Sequence, residues 1–179
     1  VLHAALAALL TGRGEHTDLP IGALVAGRTE PALTDLVGCF LNTVVLRTGT
    51  AGDPTFAELL ARVREVDLGA MDRQDVPFDG PLPPVLIVHH EEARLARIGG
   101  DGVRFEPVRT GAVRADLTLS FYEPADDRPV HCDVEYDADL FDHATVAALG
   151  ERFRRLLTAA VADPDRRLSD LYDHAERTI

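Results

Sequence analysis

Residues Leu36 to Arg47 read LVGCFLNTVVLR, and the way this stretch folds decides where the rest of the chain goes. From Cys39 to Leu46 apolar side chains occupy both alternating faces, interrupted only by Asn42 and Thr43. That is the pattern of a central strand covered on both sides. Leu33 to Leu36 is expected to form a turn of helix leading into it. Upstream, Leu19 to Ala26 is a short apolar run closed by Gly27 and Arg28, which predicts a second buried strand. Val1 to Leu10, VLHAALAALL, already has the character of a helix and should end near Thr11 and Gly12.

Downstream, Asp53 and Pro54 offer an N-cap acceptor followed by a first-turn proline. Phe56, Leu59, Leu60, Val63, Val66 and Ala70 then recur at three- and four-residue steps, an amphipathic helix that must stop before Pro77. Glu58 and Arg62 are spaced to pair on its surface. Gly80 to Pro84, GPLPP, can neither stay helical nor pair fully in a sheet, so it is a connector. From Val85 the period becomes two. Half-buried strands are expected at Val85–His89, Val103–Val108, Asp116–Tyr122 and Val130–Tyr136, with Leu117, Leu119 and Phe121 opposite Asp116, Thr118 and Ser120. Asp142 should cap a last helix that carries Val146, Leu149, Phe153, Leu156, Leu157 and Val161 on one face and ends at Pro164. This order predicts a single domain over residues 1–179, an α/β two-layer sandwich with a mixed β-sheet.

With 179 residues and 46% hydrophobic content the chain can bury one core. A net charge of −12 argues against nucleic acid or an anionic membrane surface as partner. No apolar run approaches the roughly 20 residues needed to cross a bilayer and no basic segment precedes an apolar one at the start, so a cytoplasmic location is expected. Cys39 and Cys132 both lie in apolar runs and are expected to be small buried hydrophobes.

Few residues could carry chemistry. His89 and His90 follow the apolar run PVLIV, but adjacent strand side chains point to opposite faces, which disfavours a shared metal. They are expected to be strand-end histidines whose replacement changes little. Asn42 stands out, because a primary amide in an apolar strand costs on the order of 1–3 kcal/mol when unpaired. Either neighbouring backbone satisfies it or it presents a polar group to a cleft. Arg28 and Arg47 each end a strand and could pair with Asp35, Asp75 or Asp116. Gln74, Asp75 and Phe78 lie just past the helix end, where a loop could reach back over Asn42. The sequence has no GxSxG elbow, no phosphate-binding glycine loop and no metal-ligand spacing. A self-sufficient active site is not visible.

Taken in order, GALVAGR (22–28), LVGCFLNTVVLR, GDPTFAELLARVRE (52–65), RQDVPFD (73–79), ADLTLSF (115–121) and EYDADLFD (135–142), leading into AALGERFRRLL, resemble the carboxy-terminal lobe of a nonribosomal peptide synthetase condensation domain. The resemblance implies a chloramphenicol-acetyltransferase-like lobe that partners an amino-terminal lobe. It also implies substrates carried on the phosphopantetheine arms of donor and acceptor peptidyl carrier proteins, with no cofactor bound directly. By the same resemblance Asn42 matches the asparagine of an FxNTxxxR motif, Arg47 its closing arginine, and Arg73 to Asp79 an HQDxPFE element in which Arg73 replaces the histidine. Asn42, Arg47, Arg28, Gln74, Asp75, Phe78 and Asp116 become candidates to line the cleft, with Asn42 expected to matter to the reaction more than to the fold.

The family's HHxxxDG base motif is not matched by His89-His90, which is followed by Arg94 and Leu95 where Asp and Gly are required. That motif would belong to the amino-terminal lobe, so the chain alone is expected to hold no catalytic residue and to form no amide. A segment RDxSRxPLFQ is replaced by GPLPPVLIV. Two alternatives remain: a non-catalytic condensation-like recruitment module, and an epimerisation-type relative, against which VGCFLNT weighs.

Overall fold

The structure is a computed structural model and describes residues 1–12, 17–91, 111–124 and 128–177. The strand expected at Val103–Val108 lies outside the described residues. The elements are α1 (Leu2–Thr11), β1 (Asp18–Val25), a 3-10 turn (Pro31–Leu33), β2 (Asn42–Gly49), α2 (Phe56–Met71), β3 (Val85–Glu91), β4 (Leu117–Glu123), β5 (His131–Tyr136), α3 (His143–Ala162) and α4 (Leu168–Glu176).

Among the described residues the strands form a five-stranded sheet of order β2-β1-β3-β4-β5. β1 runs antiparallel to β2 and parallel to β3, β3 runs parallel to β4, and β4 antiparallel to β5. The sheet is therefore mixed. The carboxyl ends of β1, β3 and β4 and the amino ends of β2 and β5 all emerge at one end, which carries the site described below. The helices share one core with a single sheet face, where Ile21, Leu46, Ile87, Leu119 and Phe121 meet Leu6, Leu59, Leu156 and Leu171. The rings of Phe121 and Phe153 lie 5.8 Å apart across that junction. This is the α/β two-layer sandwich expected from the sequence.

The structure corrects several details. β2 begins at Asn42 rather than Cys39, and among the described residues it is an edge strand, not a central one. Val44, Leu46 and Thr48 point inward while Arg47 and Gly49 are exposed, so the apparent apolar second face rests on Val45 alone. Cys39 is consequently exposed in the loop before β2. Helix α2 is capped by Thr55, whose hydroxyl accepts from the Glu58 amide while the Glu58 carboxylate accepts from the Thr55 amide. Glu58 is thereby engaged, and Arg62 donates to the carbonyls of Gly49 and Ala51 instead of pairing with it. Asp53 caps a different helix. Its carboxylate accepts from the amide and hydroxyl of Ser169 at 2.9 Å each, fixing the first turn of α4. That helix follows Pro164 and holds Leu168, Leu171 and Ala175 in the core, so α3 is not the last. In β4, Thr118 and Ser120 are buried as well as Leu117, Leu119 and Phe121, because the strand lies between β3 and β5.

Candidate functional site

Two loops converge at the end of the sheet where β1 stops and β2 starts. The first, residues 26–41, is fastened by Arg28. Its guanidinium donates to the carbonyls of Leu33 and, at 3.2 Å, Gly38, and lies 4.3 Å from the centroid of the Phe40 ring. Gly27 makes this path possible: it has φ +60, and a Cβ there would stand 2.0 Å from the Phe40 carbonyl oxygen.

The second loop, residues 72–79, is fastened by Asn42. Its Nδ2 donates to the carbonyls of Gln74 (2.8 Å) and Val76 (2.7 Å), and its Oδ1 accepts from the amides of Phe78 (3.0 Å) and Thr43 (2.9 Å). Both donors and both lone-pair directions of the amide are used. Of the two readings open at the sequence level, the geometry selects backbone satisfaction, and Asn42 sits at the start of the strand rather than its middle. The two loops are joined where the Thr29 hydroxyl donates to Asp75 Oδ1 at 3.0 Å.

Arg28, Asn42, Gln74, Asp75 and Phe78 are thus brought together. Arg47 and Asp116 are not. Arg47 lies five residues further along β2, about 17 Å at strand rise, and its Nε donates to Asp18 at 3.1 Å. That hydrogen bond holds the guanidinium pKa above its usual value. Asp116 precedes β4 at the opposite end of the sheet, its carbonyl accepting from the Asp137 amide. His89 and His90 do reach the site's end of the sheet but face opposite ways. His89 stacks on Phe121 on the helix side, and His90 stacks on Tyr122 at 4.6 Å on the other. Partial burial pushes the His89 imidazole below its usual pKa. Among the described residues no three His, Cys, Asp or Glu side chains converge as metal ligands.

The surface over these loops is apolar. Leu36, Leu41 and Val76 are each more than half exposed, Val37 fully so. Sequence reasoning placed Leu36, Val37 and Leu41 in or beside a buried strand and so missed this face. Thr29 and Gly27 were missed as fastening residues, and for Thr29 the sequence carries no signal.

Residues 1–80 match the family model described as condensation domain. These are the residues that build α1, β1, β2, α2 and both loops. Over 96% of its length the chain is 44% identical to a Salinispora arenicola protein named "Probable non-canonical nonribosomal peptide synthetase (NRPS) CymA", and over 96% it is 43% identical to the dimodular nonribosomal peptide synthase of Bacillus subtilis. The chain belongs to the condensation-domain family. This condensation-family chain spans 2% and 8% of the length of those two relatives. Its fold superposes on the X-domain from teicoplanin biosynthesis with a TM-score of 0.80 at 33% identity, covering 94% of this chain and 42% of that one. A second structure shows that X-domain in complex with OxyB. The first condensation domain of the CDA synthetase shares the fold with a TM-score of 0.74 at 18% identity, covering 94% of this chain and 40% of that one.

Proposed function

We propose that these 179 residues form the carboxy-terminal lobe of a peptide-bond-forming condensation domain. In this reading an amino-terminal lobe closes over the strand-end face, and the cleft between them receives donor and acceptor groups on the phosphopantetheine arms of carrier proteins. The acceptor amine attacks the donor thioester carbonyl; a C–N bond forms, the C–S bond breaks, the thiol leaves and the amine proton passes to a base. No histidine lies in either strand-end loop, residues 26–41 and 72–79. The Asp75 carboxylate is held by Thr29, and the Asn42 amide cannot take a proton. The base is assigned to the partner lobe. Asn42 and Arg28 act as positioning residues that hold the cleft wall in shape. No helix among the described residues is long and apolar enough to cross a membrane, which fits the cytoplasmic location proposed for such a synthetase.

The observation that carries this reading is the strand-end face itself: two loops fastened from beneath, with Leu36, Val37, Leu41 and Val76 left uncovered above them. Coverage of 40–42% of the solved neighbours supports a second lobe of similar size or larger. In a two-lobed protein, Val37→Asp should lower amide formation at least about tenfold, roughly 1.4 kcal/mol. The melting temperature of the isolated chain should not move. Unchanged turnover would remove this face from the cleft.

The 33% identity with an X-domain that is also known in complex with OxyB supports a second reading, a recruitment module. A two-lobed protein that binds an OxyB-like protein and forms no amide would favour it.

A further inference from the structure

A second concavity of about 360 Å³ opens at the other edge of the sheet, between α1, α3 and strands β4 and β5. Four strand spacings, about 19 Å, separate β5 from β2, so this slot is distinct from the strand-end face. We infer that it is a binding site for an unbranched hydrocarbon chain.

The chemistry of the lining supports this. Leu2, Leu6 and Leu9 of α1 form one wall, Leu149, Phe153 and Leu157 of α3 the other, and Leu119 and Val134 the floor. The polar exceptions are few. Arg154 donates through Nε and Nη2, one edge of its guanidinium, to Glu151 at 2.9 and 2.7 Å. The Cys132 thiol, half-buried, is pushed up to about 11 by burial, so it stays protonated and unreactive near neutral pH. A ligand group carrying hydrogen-bond donors or acceptors would lose water here without replacement, whereas methylene groups gain by burial.

The shape narrows the class further. Leu2 to Leu9 and Leu149 to Leu157 span about 10–12 Å of helix, roughly the length of an extended eight-carbon chain. Gly150 is the third observation. It lies in the interior of a 20-residue helix, where glycine weakens the helix relative to alanine. A Cβ there would meet nothing within 4 Å. The backbone does not require this glycine; its effect is to leave the slot open.

The test uses 1-octanol as probe and isotope-edited NMR of the methyl-labelled chain. Octanol methylenes should give NOEs to the methyls of Leu149, Leu157 and Val134. Gly150→Leu, which fills the slot, should weaken binding at least tenfold, and Gly150→Ala should melt no lower than the parent chain, showing that the position tolerates side chains. Should Gly150→Leu fail to fold, Cys132→Phe fills the slot from the strand side and carries the same expectation. Octanoate should bind with comparable strength, because Glu151 offsets the charge of Arg154. The inference is overturned if octanol reaches none of these methyls or binds a folded, filled variant undiminished. It is equally overturned if binding disappears once the second lobe is present, which would mean that the rest of the polypeptide occupies the slot.

Discussion

Replacing Asn42 by alanine removes four hydrogen bonds at once, two donated to the carbonyls of Gln74 and Val76 and two accepted from the amides of Phe78 and Thr43. Three of the four are partly buried, and each such bond contributes about 1 kcal/mol net. The fourth, to Val76, is exposed, and water takes its place. The expected loss is about 2–3 kcal/mol, which for a chain of this size corresponds to a fall in Tm of roughly 5–10 °C. Asn42→Asp should do no better: it keeps the two acceptors but turns a carboxylate oxygen toward two carbonyl oxygens. Urea denaturation measures the global loss, and amide hydrogen exchange at Phe78 and Thr43 measures release of the loop. In a two-lobed protein turnover should fall together with stability, because Asn42 acts through the loop. An unchanged midpoint with unchanged exchange at Phe78 would show that something else holds residues 72–79, and a large loss of turnover with no loss of stability would place the amide in the cleft after all.

Gly27→Ala should cost at least about 1–2 kcal/mol from the left-handed backbone alone, and displacement of the Phe40 carbonyl should raise exchange across residues 36–41. Asp53→Ala should release Ser169 and with it the first turn of α4, at a cost of about 1–2 kcal/mol, seen as lost helical ellipticity and a lower urea midpoint. Alanine adds strain at φ +47, so Asp53→Gly should be the milder variant. Iodoacetamide at pH 8 should modify exposed Cys39 and spare Cys132. The Cys132 thiol is raised from 9.0 to about 11 in the folded chain, so the native state holds its proton longer than the unfolded state; stability from this group is lost as pH rises from 9 to 11. A Cys132→Ala variant should lack that decline.

Periodicity carried most of the fold. The stripe from Phe56 to Ala70 and that from Val146 to Leu157 each mark one face of a helix, and both helices form where the pattern puts them. Strand position within the sheet was not legible. Val45 made an edge strand look two-sided, and Thr118 and Ser120 looked solvated although hydroxyls that small are readily enclosed between neighbouring strands. Helix α4 escaped notice because its cap comes from Asp53, 116 residues upstream, a partnership that exists only after folding. For the strand-end face, the motif around Asn42 and the RQDVPF stretch marked two segments that meet there. The roles were harder to see: which backbone groups an amide meets depends on the path of residues 72–79, and that path is tied to the first loop by the Thr29–Asp75 hydrogen bond.

Amide formation from carrier-bound donor and acceptor, followed by product mass with the 179-residue chain alone and with the chain joined to an amino-terminal lobe carrying HHxxxDG, tests the assignment most directly. The two-lobed protein should turn over and the chain alone should not exceed the uncatalysed rate. Turnover by the chain alone would place a base among these residues, and an inactive two-lobed protein with its HHxxxDG intact would contradict the assignment to peptide-bond formation.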